Sequence, residues 1–141
     1  MTRFFVDTNI PSELTRERPD AGVAAFLKGA DKTSIFLSVM TIGEICKGIA
    51  GLPPSQKRDS LQSWLDNDVR HWFAGRVLPV SEEIAERWGR LAASAKLRGA
   101  PLAVVDGVIA ATASHHRLTL VTRNIKDFAN LGVDLLNPWG P

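Results

Sequence analysis

The sequence predicts an α/β fold with a central parallel sheet of four to five short strands and helices on both faces. Two observations carry that prediction. Short apolar runs recur along the chain, and the stretches between them place apolar residues at helical i, i+3, i+4 and i+7 spacing. Short apolar strands separated by helices form a parallel sheet covered on both faces. At 141 residues, 45% apolar and 23% charged, the chain has the size and balance of one compact domain over residues 1–141.

The elements follow in order. Phe4-Phe5-Val6 is a buried strand that stops at Asp7-Thr8-Asn9. Pro11 and Ser12 open a short helical piece, and Pro19-Asp20 starts another through Val23, Phe26 and Leu27, with Gly29 as its stop. Ser34 to Ser38 is the second strand. In Met40 to Ile49, Ile42, Ile45, Cys46 and Ile49 share one helical face. Gly51-Leu52-Pro53-Pro54 breaks the chain, and Leu61, Trp64, Leu65, Val69 and Trp72 mark a further helix. Arg76 to Val80 is a third strand. Ser81 is an N-cap, with Glu82 and Glu83 in the first turn, where the helix dipole favours negative charge. Ile84, Trp88, Leu91 and Ala95 form that helix's buried stripe. After the Gly99-Ala100-Pro101 connector, Val105, Val108, Ile109 and Thr112 define a helix ending near His115-His116-Arg117. Leu118 to Thr122 is the fourth strand, Asn124 to Leu131 a short helix, and Val133 to Leu136 a fifth strand.

Composition excludes several classes of function. Cys46 is the only cysteine, so an intramolecular disulfide and a CxxC metal or redox site are impossible, which fits a reducing, cytoplasmic compartment. Asp7 ends the first apolar run too early for a signal peptide, and Leu102 to Ala113 is interrupted by Asp106 and too short to span a bilayer. The net charge of +2 and pI near 9.0 permit a polyanionic partner without demanding one.

Acidic and amide residues recur where the fold would bring them together. Sites in open α/β sheets form at the carboxyl ends of strands. Asp7 ends strand one, and Asn124 follows strand four with Asp127 a turn further on. Asp106 opens the helix before strand four, and Glu44 lies on the helix after strand two. Asp106 stands among Val104, Val105, Val108 and Ile109. A carboxylate in apolar company is costly unless paired, and like charges raise each other's pKa. A divalent cation relieves both, and an oxygen-only donor set favours Mg²⁺ or Mn²⁺. Taken singly, each residue also has a structural explanation. Asp7-Thr8-Asn9 could be a strand-ending turn, Glu44 with Lys47 a surface ion pair, Asp106 a dipole-favoured acid, Asn124 a cap and Asp127 a solvated residue.

These residues match a known pattern. Phe5-Val6-Asp7-Thr8-Asn9 with Ser12-Glu13, Leu37-Ser38-Val39 leading to Gly43-Glu44-Ile45, Asp106 with Ile109-Ala110-Ala111-Thr112-Ala113, and Leu120-Val121-Thr122-Arg123-Asn124 occur in order, and Asn137-Pro138-Trp139 closes the chain. In this the chain resembles the PIN-domain ribonucleases, specifically the VapC toxins of toxin–antitoxin pairs and their FitB-like branch, whose fold is a three-layer sandwich. The resemblance implies a metal-dependent endoribonuclease that leaves a 5′-phosphate and a 3′-hydroxyl. It places Asp7, Glu44 and Asp106 as metal-holding acids, with Asn124 where many relatives carry a fourth acid and Asp127 able to supply that charge. Gly107 departs from the more usual Ala. Thr8, Asn9 and Thr122 would support the acids by hydrogen bonding, and Lys47, Arg123 and Lys126 would contact RNA phosphates. The tryptophans Trp64, Trp72, Trp88 and Trp139 mostly fall on apolar helical faces and read as core or dimer packing. The resemblance further implies a homodimer and a small DNA-binding antitoxin that occludes the acidic pocket and carries the complex to promoter DNA. The helices between Ile10 and Ile49 offer more apolar residues than one sheet face needs, which suits either a docking surface for that antitoxin or core packing. A haloacid-dehalogenase-like phosphotransferase with Asp7 as nucleophile is one rival, but it wants an acid where Asn9 stands. A non-catalytic module of the same fold is another, and retention of Asp7, Glu44 and Asp106 argues against it.

Overall fold

A computed structural model describes residues 1–140; Pro141 lies outside them. In chain order, β1 (Phe4–Val6) leads through α1 (Asn9–Glu13), α2 (Ala21–Gly29) and a 3₁₀ turn (Lys32–Ser34) to β2 (Ile35–Ser38). Then come α3 (Val39–Ala50), α4 (Gln56–Ser63), a π-helical stretch (Trp64–Val69), α5 (Arg70–Trp72) and β3 (Val77–Leu78). The chain finishes with α6 (Glu82–Leu97), α7 (Val104–His115), β4 (Thr119–Val121), α8 (Ile125–Phe128) and β5 (Leu135–Leu136).

The five strands form one sheet in the order β3-β2-β1-β4-β5, and every pairing is parallel. The two faces of the strands feed two cores. Val6, Ile35, Leu37 and Val121 point into one, against Val23, Ile45, Ile49, Leu65 and Val69. Phe5 and Leu120 point into the other, against Ile109, Ala110, Ala113 and Phe128. The alternation of Phe5 with Val6 and of Leu120 with Val121 is the two-residue period of a strand, with an apolar layer on each side.

Side-chain caps fix several helix starts. Ser38 accepts from Met40 N–H at 2.9 Å, Asp20 from Gly22 N–H at 2.9 Å, and Ser81 from Ile84 N–H at 3.2 Å. The elements differ from the sequence expectation in several places: β4 is trimmed to Thr119–Val121, and the last helix ends at Phe128 rather than Leu131. Ser34 belongs to the 3₁₀ turn, whose N-cap Asp31 draws in Thr33 N–H at 3.0 Å. The edge strands β3 and β5 each have a single neighbour and shorten to two residues. The helix expected through Leu61 to Trp72 widens into a π turn at its centre, which buries both Leu65 and Val69 and leaves Trp64 and Trp72 half-buried at a groove. No helix among the described residues is long and apolar enough to cross a membrane.

Candidate active site

The strand order creates the site. The chain runs outward from β1 to β2 and β3, then crosses back to place β4 on β1's other side. The carboxyl ends of β1 and β4 therefore flank a topological switch point, where open parallel sheets bind ligands. Asp7 and Thr122 are the residues that leave those ends. The Asp7 N–H donates to Val121 carbonyl at 2.9 Å, which continues the β1–β4 ladder to the rim.

Asp7 is only 6% exposed. Thr8 N–H donates to its Oδ1 and the Thr122 hydroxyl to its Oδ2, each at 2.8 Å. Thr122 Oγ1 in turn accepts from the Asn124 N–H at 3.0 Å and from Asn9 Nδ2 at 3.3 Å, so its own proton is committed to Asp7. Burial pushes the Asp7 carboxyl above the usual range, and the charges of Glu44 and Asp127 push it further, while these two hydrogen bonds pull the other way without cancelling the rise. Asp106, in the first turn of α7, is raised as well, first by burial and then by Asp7, Asp127 and Glu44. Glu44 of α3, Asp106 of α7 and Asp127 of α8 thus gather around Asp7, which follows β1, as one acidic cluster.

Glu44 is held by a hydroxyl. Thr8 Oγ1 donates to its Oε1 at 2.5 Å, and Thr8 Oγ1 also lies 3.1 Å from Thr41 Oγ1. Thr8 has one hydroxyl proton, which the shorter contact takes, so Thr41 is the donor in the longer one. Glu44 makes no ion pair with Lys47, which removes the surface-pair explanation. The Asn124 side chain does not cap α8, and it is exposed beside the cluster's Asp127. Lys47, Arg123 and Lys126 are exposed cations without an acidic partner among the described residues. Arg123 differs from the other two, because its guanidinium lies 5.5 Å over the Trp139 ring.

The donor set is all oxygen, which suits a hard dication. Asn9 Oδ1 adds to it, being buried with no hydrogen-bond partner, the kind of orphan that a ligand or an ordered water satisfies. The acids do not close on one point. Among the described residues no three Asp, Glu, His or Cys side chains converge tightly enough to hold a metal ion as they stand. The residues fit a dication in chemistry and position, and coordination would require side-chain movement of the partly exposed Glu44 and Asp106.

Two features escaped the sequence reading. Thr41 is fully buried and backs the Thr8–Glu44 contact; its only signal is a hydroxyl one helical turn before Glu44. Gly107 follows Asp106 because Trp88 of α6 occupies the space a side chain would need. A Cβ there would lie 2.7 Å from Trp88 Cδ1 and 2.9 Å from Nε1. The pairing of a large residue with a missing one brings α6 and α7 together directly beneath Asp106.

Known proteins share this fold. The PIN domain family model matches residues 4–133. The VapC ribonuclease Y4jK of Sinorhizobium fredii is 36% identical over 96% of this chain and 97% of its own. Toxin FitB of Neisseria gonorrhoeae is 37% identical over 95% of this chain and 96% of its own. A crystal structure of FitAcB from Neisseria gonorrhoeae contains a chain that superposes with a TM-score of 0.90 at 36% identity, covering 98% of this chain and 99% of that one. With a family match across nearly its whole length, two such relatives and a five-stranded parallel sheet, the chain belongs to the PIN-domain family, in its VapC- and FitB-like toxin branch.

Proposed function

We propose that the chain is an endoribonuclease toxin of a toxin–antitoxin pair that hydrolyses RNA phosphodiester bonds with Mg²⁺ or Mn²⁺. The observation that carries this reading is the acidic cluster at the switch point, where burial first and neighbouring acids second (Glu44 and Asp127 beside Asp7; Asp7, Asp127 and Glu44 beside Asp106) hold both carboxyls above the usual range despite the hydrogen bonds Asp7 receives. Asp7, Glu44 and Asp106 would hold the cation, with Asp127 adding charge and Asn124 a neutral amide beside it. When bound, such a cation polarises the scissile phosphate and lowers the pKa of an attacking water. The residues around it act by placement. Thr122 fixes Asp7 through Oδ2, Asn9 and the Asn124 backbone orient Thr122, and Thr8 backed by Thr41 holds Glu44. No side-chain nucleophile is needed: a water attacking in line would invert the phosphorus, and cleavage of the P–O3′ bond, which the family resemblance implies, would leave a 5′-phosphate and a 3′-hydroxyl. Lys47, Lys126 and Arg123 would pair with RNA phosphates as the backbone crosses the rim.

The relatives also supply the partner. One neighbouring structure is of FitAB bound to a DNA fragment, at 34% identity and a TM-score of 0.90. Another is a toxin–antitoxin complex from Klebsiella pneumoniae, at 28% identity and a TM-score of 0.72. By analogy this chain would form a homodimer in the cytoplasm, bind a small antitoxin and reach promoter DNA only through it. An apolar groove of about 360 Å³ between α1, α2 and the π-helical stretch, with Ile10, Leu27 and Trp72 in its walls, is a suitable seat for an antitoxin helix.

The reading is tested with a mixed cellular RNA pool and the purified chain. Cleavage is expected with Mn²⁺ or Mg²⁺ and none in EDTA, with 5′-phosphates on the new ends. Cleavage that survives EDTA would refute it.

A further inference from the structure

Resting on the nuclease reading, we propose that the cleft beside Glu44 receives the base of the nucleotide adjoining the scissile phosphate, and that Gly48 keeps it open. The cleft has a volume of about 320 Å³, within the range of small-ligand pockets, and it begins at Thr8 and Glu44. It is thus continuous with the acidic cluster. Ile45, Ile49 and Leu61 give it apolar walls, Ser12 and Thr15 a hydroxyl edge, and Lys57 a cation. A nucleotide has the matching parts: an apolar ring face, polar ring edges and an anionic phosphate. Trp64 stands in the same wall, where an indole can supply stacking surface.

Gly48 is the informative residue. It lies inside α3 one turn after Glu44, so both project to the same side of the helix. Glycine is the least favourable helix-interior residue apart from proline. Nothing in the fold demands it, since its backbone is not left-handed and an added Cβ would meet no atom within 4 Å. What its bare Cα does is leave the space beside Glu44 vacant. The second groove, lined by Pro11, Leu14 and Ala24 along with Ile10 and Leu27, shares Trp64 with the cleft and carries Lys28 and Asp68, but it is more apolar and holds none of the acids or hydroxyls of the cluster. It suits an amphipathic protein helix, which leaves the cleft beside Glu44 to the RNA.

The decisive variant is Gly48→Leu, which adds bulk on the cleft side at a position where a Cβ meets no atom within 4 Å, with Gly48→Ala as a milder step. The probe is a fluorescein-labelled oligoribonucleotide spanning a mapped cleavage site, intact or abasic at either flanking position. Binding is read by anisotropy in EDTA, so it does not depend on turnover, and cleavage is read with Mn²⁺. Gly48→Leu should melt at or above the wild-type temperature. It should bind the oligonucleotide about tenfold more weakly and raise KM more than it lowers kcat, with Gly48→Ala intermediate. One abasic position should cost wild type about tenfold and cost Gly48→Leu less than twofold. Equal binding and equal abasic penalties in wild type and Gly48→Leu would overturn the proposal. So would a Gly48→Leu defect confined to binding the purified antitoxin, which would make the cleft a protein site. If wild type cuts no RNA at all, the nuclease reading fails and this proposal falls with it, whereas cleavage accompanied by equal binding and equal abasic penalties overturns the base pocket alone.

Discussion

Asp7 and Glu13 are two buried carboxylates on one short N-terminal stretch, each 6% exposed, and the fold treats them in opposite ways. Glu13 faces partners of complementary character. Asp20 N–H donates to its Oε2 at 2.9 Å, and Arg16 Nε lies 3.4 Å from its Oε1. It ties the loop after α1 to the cap of α2. Asp7 also receives two hydrogen bonds, yet its other neighbours are acids, and no cation stands opposite it among the described residues. Burial alone therefore does not mark a site. Burial that the protein leaves uncompensated does, because it persists only where something else supplies the missing charge.

The contrast breaks first on activity, where the largest effect is expected. Asp7→Asn and Asp106→Asn should each lower RNA cleavage a hundredfold or more, while Glu13→Gln should stay within about twofold of wild type in the same Mn²⁺ assay. Comparable losses in all three would erase the distinction.

Stability should move in the opposite sense. In EDTA at pH 7, Glu13→Ala should lose about 1–3 kcal/mol in urea unfolding, because it leaves the partly buried Asp20 N–H without its acceptor. Asp106→Asn should gain stability. Its folded carboxyl is raised above 3.8, so the ionised form destabilises the fold at every pH above the folded pKa. That penalty fades as pH falls through the folded pKa toward 3.8, and the gap between variant and wild type should close with it. A gap that widened in acid would have the wrong sign.

A smaller effect concerns the support under the acid. Gly107→Ala should destabilise by about 1 kcal/mol, the overpacking against Trp88 outweighing the helix-propensity gain of alanine. Trp88→Leu combined with Gly107→Ala should cost less than the two changes summed, read by the same urea curves. Strict additivity would mean that the two side chains do not share the space beneath Asp106.

Much of this arrangement was legible in the sequence. Phe4-Phe5-Val6 ending at an acid placed Asp7, and the spacing of Ile42, Ile45 and Ile49 placed the helix that carries Glu44. Ser81 capped its helix as its position before Glu82 and Glu83 suggested. The π turn at Trp64–Val69 was not legible, because inserting one residue leaves apolar side chains at spacings that still read as helical. Thr41 and the Trp88–Gly107 contact were hidden for a different reason. Each depends on two elements meeting, and a single helix's periodicity says nothing about what its neighbour brings. Arg123 read in the sequence as a phosphate contact like Lys126, and only the fold lays its guanidinium over Trp139 near the C-terminus.

The central claim, that the Asp7 cluster lacks a cation which the Glu13 site does not need, is tested most directly by calorimetric titration of Mn²⁺ into the EDTA-treated, dialysed chain. The account predicts saturable binding in wild type and Glu13→Gln, weaker binding as pH falls, and none in Asp106→Asn. Binding of equal strength in Asp106→Asn, or no binding in wild type, would contradict it.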